Sequence, residues 1–336
     1  MNNLFSPYHF KEDLTLGKGR SFTEKAIDIF HVQAKYNPLY HRYLKQLSVD
    51  PQNITQLAEI PFLPISFFKS HVIKTGDFEP EVYFESSGTT GVEPSRHGIL
   101  SQSAYLQNAK SNFNEFYGDV ENYCVLALLP SYLERGNSSL VAMADYFIKL
   151  SGHGLSGFFL NDLDRLHAAL VELESAEQPT ILLGVTYALM DFAEKFPIQL
   201  KHTIVMETGG MKGRREEITR GQLHSFLCER LGVEQIHAEY GMTELQSQAY
   251  SKGGGWFSPS ATMKVMLRSP DDPFEIWEED QYAMRSGAVN IIDLANSDTI
   301  SFIATDDLAR FRSDGSFEIT GRMDNCDIRG CSQLAL

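Results

Sequence analysis

Between residues 125 and 239 short apolar runs alternate with segments of helical length, and this alternation constrains the fold more than anything else in the chain. The runs fall at 125–129, 158–160, 180–184, 203–206 and 233–239. Between them lie helix candidates at 139–150, from Asn161 or Asp162 to about residue 174, at 187–192 and at 214–231. Apolar runs this short, bounded by breakers such as Pro130, suit buried strands. The alternation predicts a layered α/β sheet. In such sheets ligands collect at the carboxyl ends of the strands. Three polar stretches suit such places: 86–91, 208–210 and 240–244.

The flanks differ from this core. Residues 1–80 read as a mainly helical segment packed on it. Phe22, Ala26, Phe30 and Ala34 recur every four residues behind a cap at Ser21 or Thr23. Tyr36, Tyr40 and Tyr43 share a helix face, which suits packing, with a substrate contact as the alternative. Pro51 and residues 61–64 break the helical pattern. Residues 81–250 form the α/β core. From 251 to 320 the chain turns β-rich, with strand candidates at 289–294, 300–304, 308–311 and 317–319. Residues 321–336 form a hinge-like tail.

Charge narrows the partners. A net charge of −15 over 336 residues disfavours binding to a nucleic acid backbone. No apolar stretch reaches membrane-spanning length and no signal peptide is apparent, so a cytoplasmic location is expected by default. Cys124, Cys228, Cys326 and Cys331 form no C-x-x-C pair, and no Cys/His grouping suggests zinc. Cys124 and Cys228 fall in strand and helix candidates and are expected to be buried and inert. His237 suits either the core or an acyl pocket.

The chemistry concentrates in Ser86, Ser87, Gly88, Thr89, Thr90 and Gly91. Two glycines allow a tight turn whose backbone N–H groups make an anion nest, and the hydroxyls and Arg96 add donors. A polyphosphate is the natural guest; an ordinary surface loop is the plainer reading. Glu239-Tyr-Gly-Met-Thr-Glu244 follows a strand candidate. Tyr240 can stack on a planar base, Thr243 can meet a phosphate oxygen, and Glu244 suits a Mg²⁺ lying between carboxylate and phosphate. Thr305-Asp-Asp307 can hold ribose hydroxyls or form a polar turn.

Taken together these stretches resemble the adenylate-forming family of acyl-CoA synthetases, adenylation domains and luciferase-like enzymes. Residues 86–91 resemble its phosphate loop, and residues 240–244 its Tyr-Gly-x-Thr-Glu motif. Thr305-Asp-Asp307 with Gly321-Arg322 resembles its ribose-binding segment. The resemblance implies the large N-terminal domain of that family, with layered sheets and helices, lacking the usual C-terminal domain. It implies ATP and Mg²⁺, with Ser86–Gly91, Gly209, Gly210, Tyr240, Gly241, Thr243, Asp307 and Arg322 about the nucleotide and Glu244 on the metal. Two departures stand out: the loop continues to Arg96 without the usual lysine, and Asp306 stands where glycine is common.

The whole chain is most similar to the LuxE acyl-protein synthetases. That resemblance implies activation of a fatty acid and transfer of the acyl group to Cys331, with Cys326 as rival acceptor. Thr243 and Arg96 would take part in the activation. It also implies an acyl-reductase or acyl-carrier partner. A truncated acyl- or aryl-CoA ligase using free coenzyme A, and a non-catalytic nucleotide-binding scaffold, are the alternatives.

Overall fold

Two sheets and a hairpin carry the fold. The computed structural model describes residues 19–86, 93–129, 137–209, 218–277 and 286–323. Ser87, Gly88, Thr89, Thr90, Gly91, Gly210, Cys326 and Cys331 lie outside the described residues.

The first helix, α1 (Phe22–Tyr36), starts at Ser21 in a capping box with Glu24, and α2 (Pro38–Gln46) starts at Asn37. After Gln46 the helical reading gives way to short turns, a two-residue strand β1 (Leu63–Pro64) and a one-turn helix α3 (Phe67–Ser70). The prolines at 51, 61 and 64 stop longer helices here. Of the three tyrosines, Tyr40 is fully buried and its hydroxyl donates to the Pro61 carbonyl at 2.6 Å; that of Tyr43 donates to Phe62 at 3.1 Å.

The hairpin pairs β2 (Val82–Glu85) with β3 (Arg96–Ile99) in antiparallel register, Glu85 opposite Arg96. The large sheet follows. Its strands are β4 (Cys124–Leu128), β5 (Gly157–Phe158), β6 (Thr180–Val185), β7 (Thr203–Thr208), β8 (His237–Tyr240), β9 (Ala249–Ser251) and β10 (Ser258–Pro259). Their order is β10-β9-β8-β7-β6-β4-β5, parallel from β5 to β8 and antiparallel at β9 and β10. Five helices bury apolar faces against it: α4 (Gln102–Tyr117), α5 (Ser139–Ser151), α6 (Leu163–Ser175), α7 (Thr186–Lys195) and α8 (Arg220–Leu231). The helix expected from 214 begins only at Arg220, because Thr219 and Gln222 form a capping box there. Strand β8 is likewise shorter than the expected run from 233.

The second sheet has order β1-β13-β12-β11, with β14 also on β13. Its main strands are β11 (Met263–Arg268), β12 (Gly287–Asp293), β13 (Phe302–Phe311) and β14 (Phe317–Arg322). Two expected strands, 300–304 and 308–311, are one strand, so Thr305-Asp-Asp307 is not a turn. Thr305 and Asp307 are buried, and a register shift against β12, where Ala288 pairs with Leu308 but Asn290 with Ala304, accommodates residues 305–307. One core joins α1, α2 and the second sheet to Ala238, Tyr240 and Ala249 of the first.

Candidate functional site

The carboxyl end of β8 meets the second sheet, and that meeting assembles the site. Tyr240 ends β8. Its ring is 1% exposed and packs on Phe257 and Phe317, with centroids 5.8 and 5.5 Å away. The Tyr240 ring is thus part of the core where the two sheets meet. Its hydroxyl donates to Asp307 Oδ2 at 2.9 Å, linking the strand-end motif to β13. Asp307 sits opposite Arg322 in the β13–β14 register. Arg322 Nε lies 3.5 Å from Asp307 Oδ1, and its Nη2 donates to Asp306 at 3.1 Å. Asp306, in the place where glycine is common, thus anchors the guanidinium. Buried Nε and Nη1 of Arg322 make no hydrogen bond among the described residues. Such donors suit an incoming hydroxyl or phosphate oxygen.

Gly241 turns the chain after Tyr240. A Cβ there would meet Glu239 Oε1, the end of a flexible side chain that would have to shift aside. Gly209 follows β7 at φ +73°, a left-handed conformation that favours glycine, and its carbonyl accepts from the Thr186 hydroxyl at 2.7 Å. The half-buried Thr243 and the buried Glu244 follow on the turn.

Residues not singled out by the sequence hold this turn. His97 of β3 is buried; its Nδ1 lies 2.8 Å from the Thr243 carbonyl and its Nε2 2.9 Å from the Thr299 hydroxyl. Asn296 Nδ2 donates to the Glu244 carbonyl at 2.8 Å. Asp293 accepts from the Gln246 and Ser247 amides at 2.7 and 3.0 Å. No local pattern marks these residues, since each acts on a partner distant in sequence.

The hairpin of β2 and β3 meets the same turn through His97, and Ser86 follows its first strand. Ser86 Oγ accepts from the Ser95 amide at 2.9 Å, and the Ser86 amide donates to the Ser95 carbonyl at 3.0 Å. Ser86 therefore closes the neck of the loop. Arg96 lies 4.7 Å over the Tyr83 ring and pairs with Glu85 at 3.1 Å, which offsets its charge.

His237 opens β8, at the opposite end from Tyr240. Its Nδ1 lies 3.2 Å from the Tyr117 hydroxyl, and burial with Lys252 nearby pushes its pKa down to about 4. Its neighbours are those of a packed neutral histidine. Cys124 is buried and Cys228 half-buried, and burial raises both thiols.

The family profile described as "Acyl-protein synthetase, LuxE" matches residues 7–335. The chain belongs to this family. No curated protein matches it. Among solved structures, a malonyl-CoA ligase bound to methylmalonyl-CoA and AMP is 14% identical at TM-score 0.51, covering 73% of this chain and 53% of its own. The luciferase-like enzyme of the mealworm Zophobas morio is 16% identical at TM-score 0.47, covering 82% and 62%. O-succinylbenzoate coenzyme A synthetase from Bacillus subtilis, with ATP and magnesium, is 16% identical at 0.48, covering 71% and 49%. This LuxE-family chain has the mixed α/β fold of the large N-terminal domain of adenylate-forming enzymes, as the malonyl-CoA ligase shows, and spans about half to three-fifths of the length of these proteins.

Proposed function

We propose that the chain is an ATP-dependent acid-activating ligase of the adenylate-forming superfamily. The observation that carries this reading is the joining of three distant motifs: Tyr240 bonded to Asp307, Asp307 opposite Arg322, and Thr243 tied to the loop hairpin through His97. The family match supports the same reading. The acid's carboxylate oxygen would attack the α-phosphorus of ATP. The new O–P bond forms as the bond to the β-phosphate oxygen breaks, and pyrophosphate leaves. Arg322 keeps donors for the nucleotide, and Asp307 suits the ribose hydroxyls. Gly209 and Gly210 would flank the base, and Thr243 and Arg96 would meet phosphate oxygens. A magnesium ion would take Glu244 together with phosphate oxygens, the arrangement Mg²⁺ commonly adopts, and would neutralise phosphate charge.

A fatty acid is the proposed substrate, and the Cys331 thiol the proposed acceptor. The thiolate would attack the acyl carbonyl, forming a C–S bond and releasing AMP. The family description supports a protein acceptor. The second reading takes free coenzyme A, because several proteins of similar fold carry the name of CoA ligases. Labelled tetradecanoate with ATP and Mg²⁺, without coenzyme A, separates the two. The proposal expects hydroxylamine-labile label on the protein, lost in Cys331→Ser. Protein that stays unlabelled, with a serine variant that makes acyl-CoA at full rate once coenzyme A is added in a second arm, would refute the protein acceptor.

A further inference from the structure

Glu239 is a buried acid that the reaction above leaves without a role. It precedes Tyr240 at the carboxyl end of β8 and is 7% exposed. The Thr208 hydroxyl donates to its Oε2 at 2.6 Å. Oε1 makes no hydrogen bond among the described residues and turns toward Gly241, where it would collide with a Cβ. Its register partner on β9 is Tyr250. Tyr250 lines an apolar void with Phe113, Met143, Phe147, Leu183 and Met206. The void measures about 10 Å³, yet two of its walls are methionines, whose unbranched chains move aside readily. A carboxyl group thus stands between a nucleotide-facing turn and an apolar layer.

We propose that Glu239 is a positioning residue: its protonated carboxyl donates a hydrogen bond from Oε1 to the carboxylate of the acid substrate, whose chain extends into the apolar layer. This rests on the acid-activating reading. The titratable groups that face Glu239 are Glu207 from β7, Tyr105 from α4 and Tyr250 from β9, and Glu207 in turn lies 3.5 Å from Arg220 and 3.7 Å from His224 of α8. Burial, with Glu207 adding to it, pushes the Glu239 carboxyl up to about 7. Because Oε2 accepts from Thr208, the proton belongs on Oε1, the oxygen facing the turn. An ionised Glu239 would repel the substrate carboxylate at the same place.

Calorimetric titration with octanoate tests this without requiring turnover. Octanoate stays ionised from about pH 6 to about pH 8.5, so only the protein titrates. The proposal expects wild-type affinity to fall about tenfold between about pH 6 and about pH 8. Near pH 8, binding should take up close to one proton, read from buffers of different ionisation enthalpy. Glu239→Gln keeps a neutral donor; it should bind with the wild-type low-pH affinity throughout and take up no proton. A flat wild-type profile, the same pH slope in Glu239→Gln, or no octanoate binding at any pH overturns the proposal. A merely structural Glu239 would leave the slope in place and lower only thermal stability. Octanoate binding with this pH profile but no acid-dependent pyrophosphate exchange would support the positioning role and sink the activation reading.

Discussion

Asp307 is the residue on which the proposed nucleotide site turns. Its carboxylate meets the Tyr240 hydroxyl on one oxygen and Arg322 near the other. Tyr240→Phe removes the hydroxyl that donates to Asp307 while keeping the packed ring. It should lower stability by about 1–3 kcal/mol in urea titration, because a buried acceptor loses its donor, and raise the KM for ATP. Glu239 gives a second test. Its folded pKa of about 7 exceeds the ordinary value of 4.5, so its stabilising effect is full below about 4.5 and is lost as pH rises through about 7. Wild-type stability should carry a decline on the order of 3 kcal/mol over that window, absent in Glu239→Gln. An equal decline in both proteins would contradict the assignment. The sequence made Tyr240, Thr243, Glu244, Asp307 and Arg322 legible because they sit in compact motifs. It hid His97 and Asn296, whose partners lie 146 and 52 residues away. The burial of the Tyr240 ring was not legible, since an aromatic at a strand end suits a base platform and a core equally well.

Among the elements, the N-terminal helices brace the site from a distance. Gln33 of α1 donates to the Asn296 carbonyl at 3.0 Å and accepts from the Ser301 amide at 3.0 Å. Asn37 caps α2 and donates to the Thr299 carbonyl at 2.9 Å. The segment so held carries Asn296 and Thr299, which bond the Glu244 carbonyl and His97. Asn37→Ala should therefore cost about 1–3 kcal/mol in denaturant unfolding, through a lost cap and a lost buried bond. An unchanged midpoint would contradict the bracing role. The alternation of apolar runs and helices made the parallel strands readable. The unbroken β13 was not readable, because Thr305, Asp306 and Asp307 look like a turn until Arg322 and Tyr240 face them across strands.

At the scale of the molecule, two sheets share a core at Tyr240, and the β2–β3 hairpin is tied to their junction through His97. The order of the three motifs announced the family, whereas the meeting of the sheets depends on contacts that no local pattern encodes. Among the described residues no helix is long and apolar enough to cross a membrane. The central claim is that this junction activates a carboxylic acid with ATP. Exchange of labelled pyrophosphate into ATP measures that step alone, before any thiol acceptor is needed. Exchange should require both an acid and Mg²⁺, favour tetradecanoate over acetate, and fall at least about tenfold in Glu244→Gln and Asp307→Ala. Absence of exchange with acetate, octanoate, tetradecanoate and phenylacetate, in folded protein that binds ATP, would contradict the account.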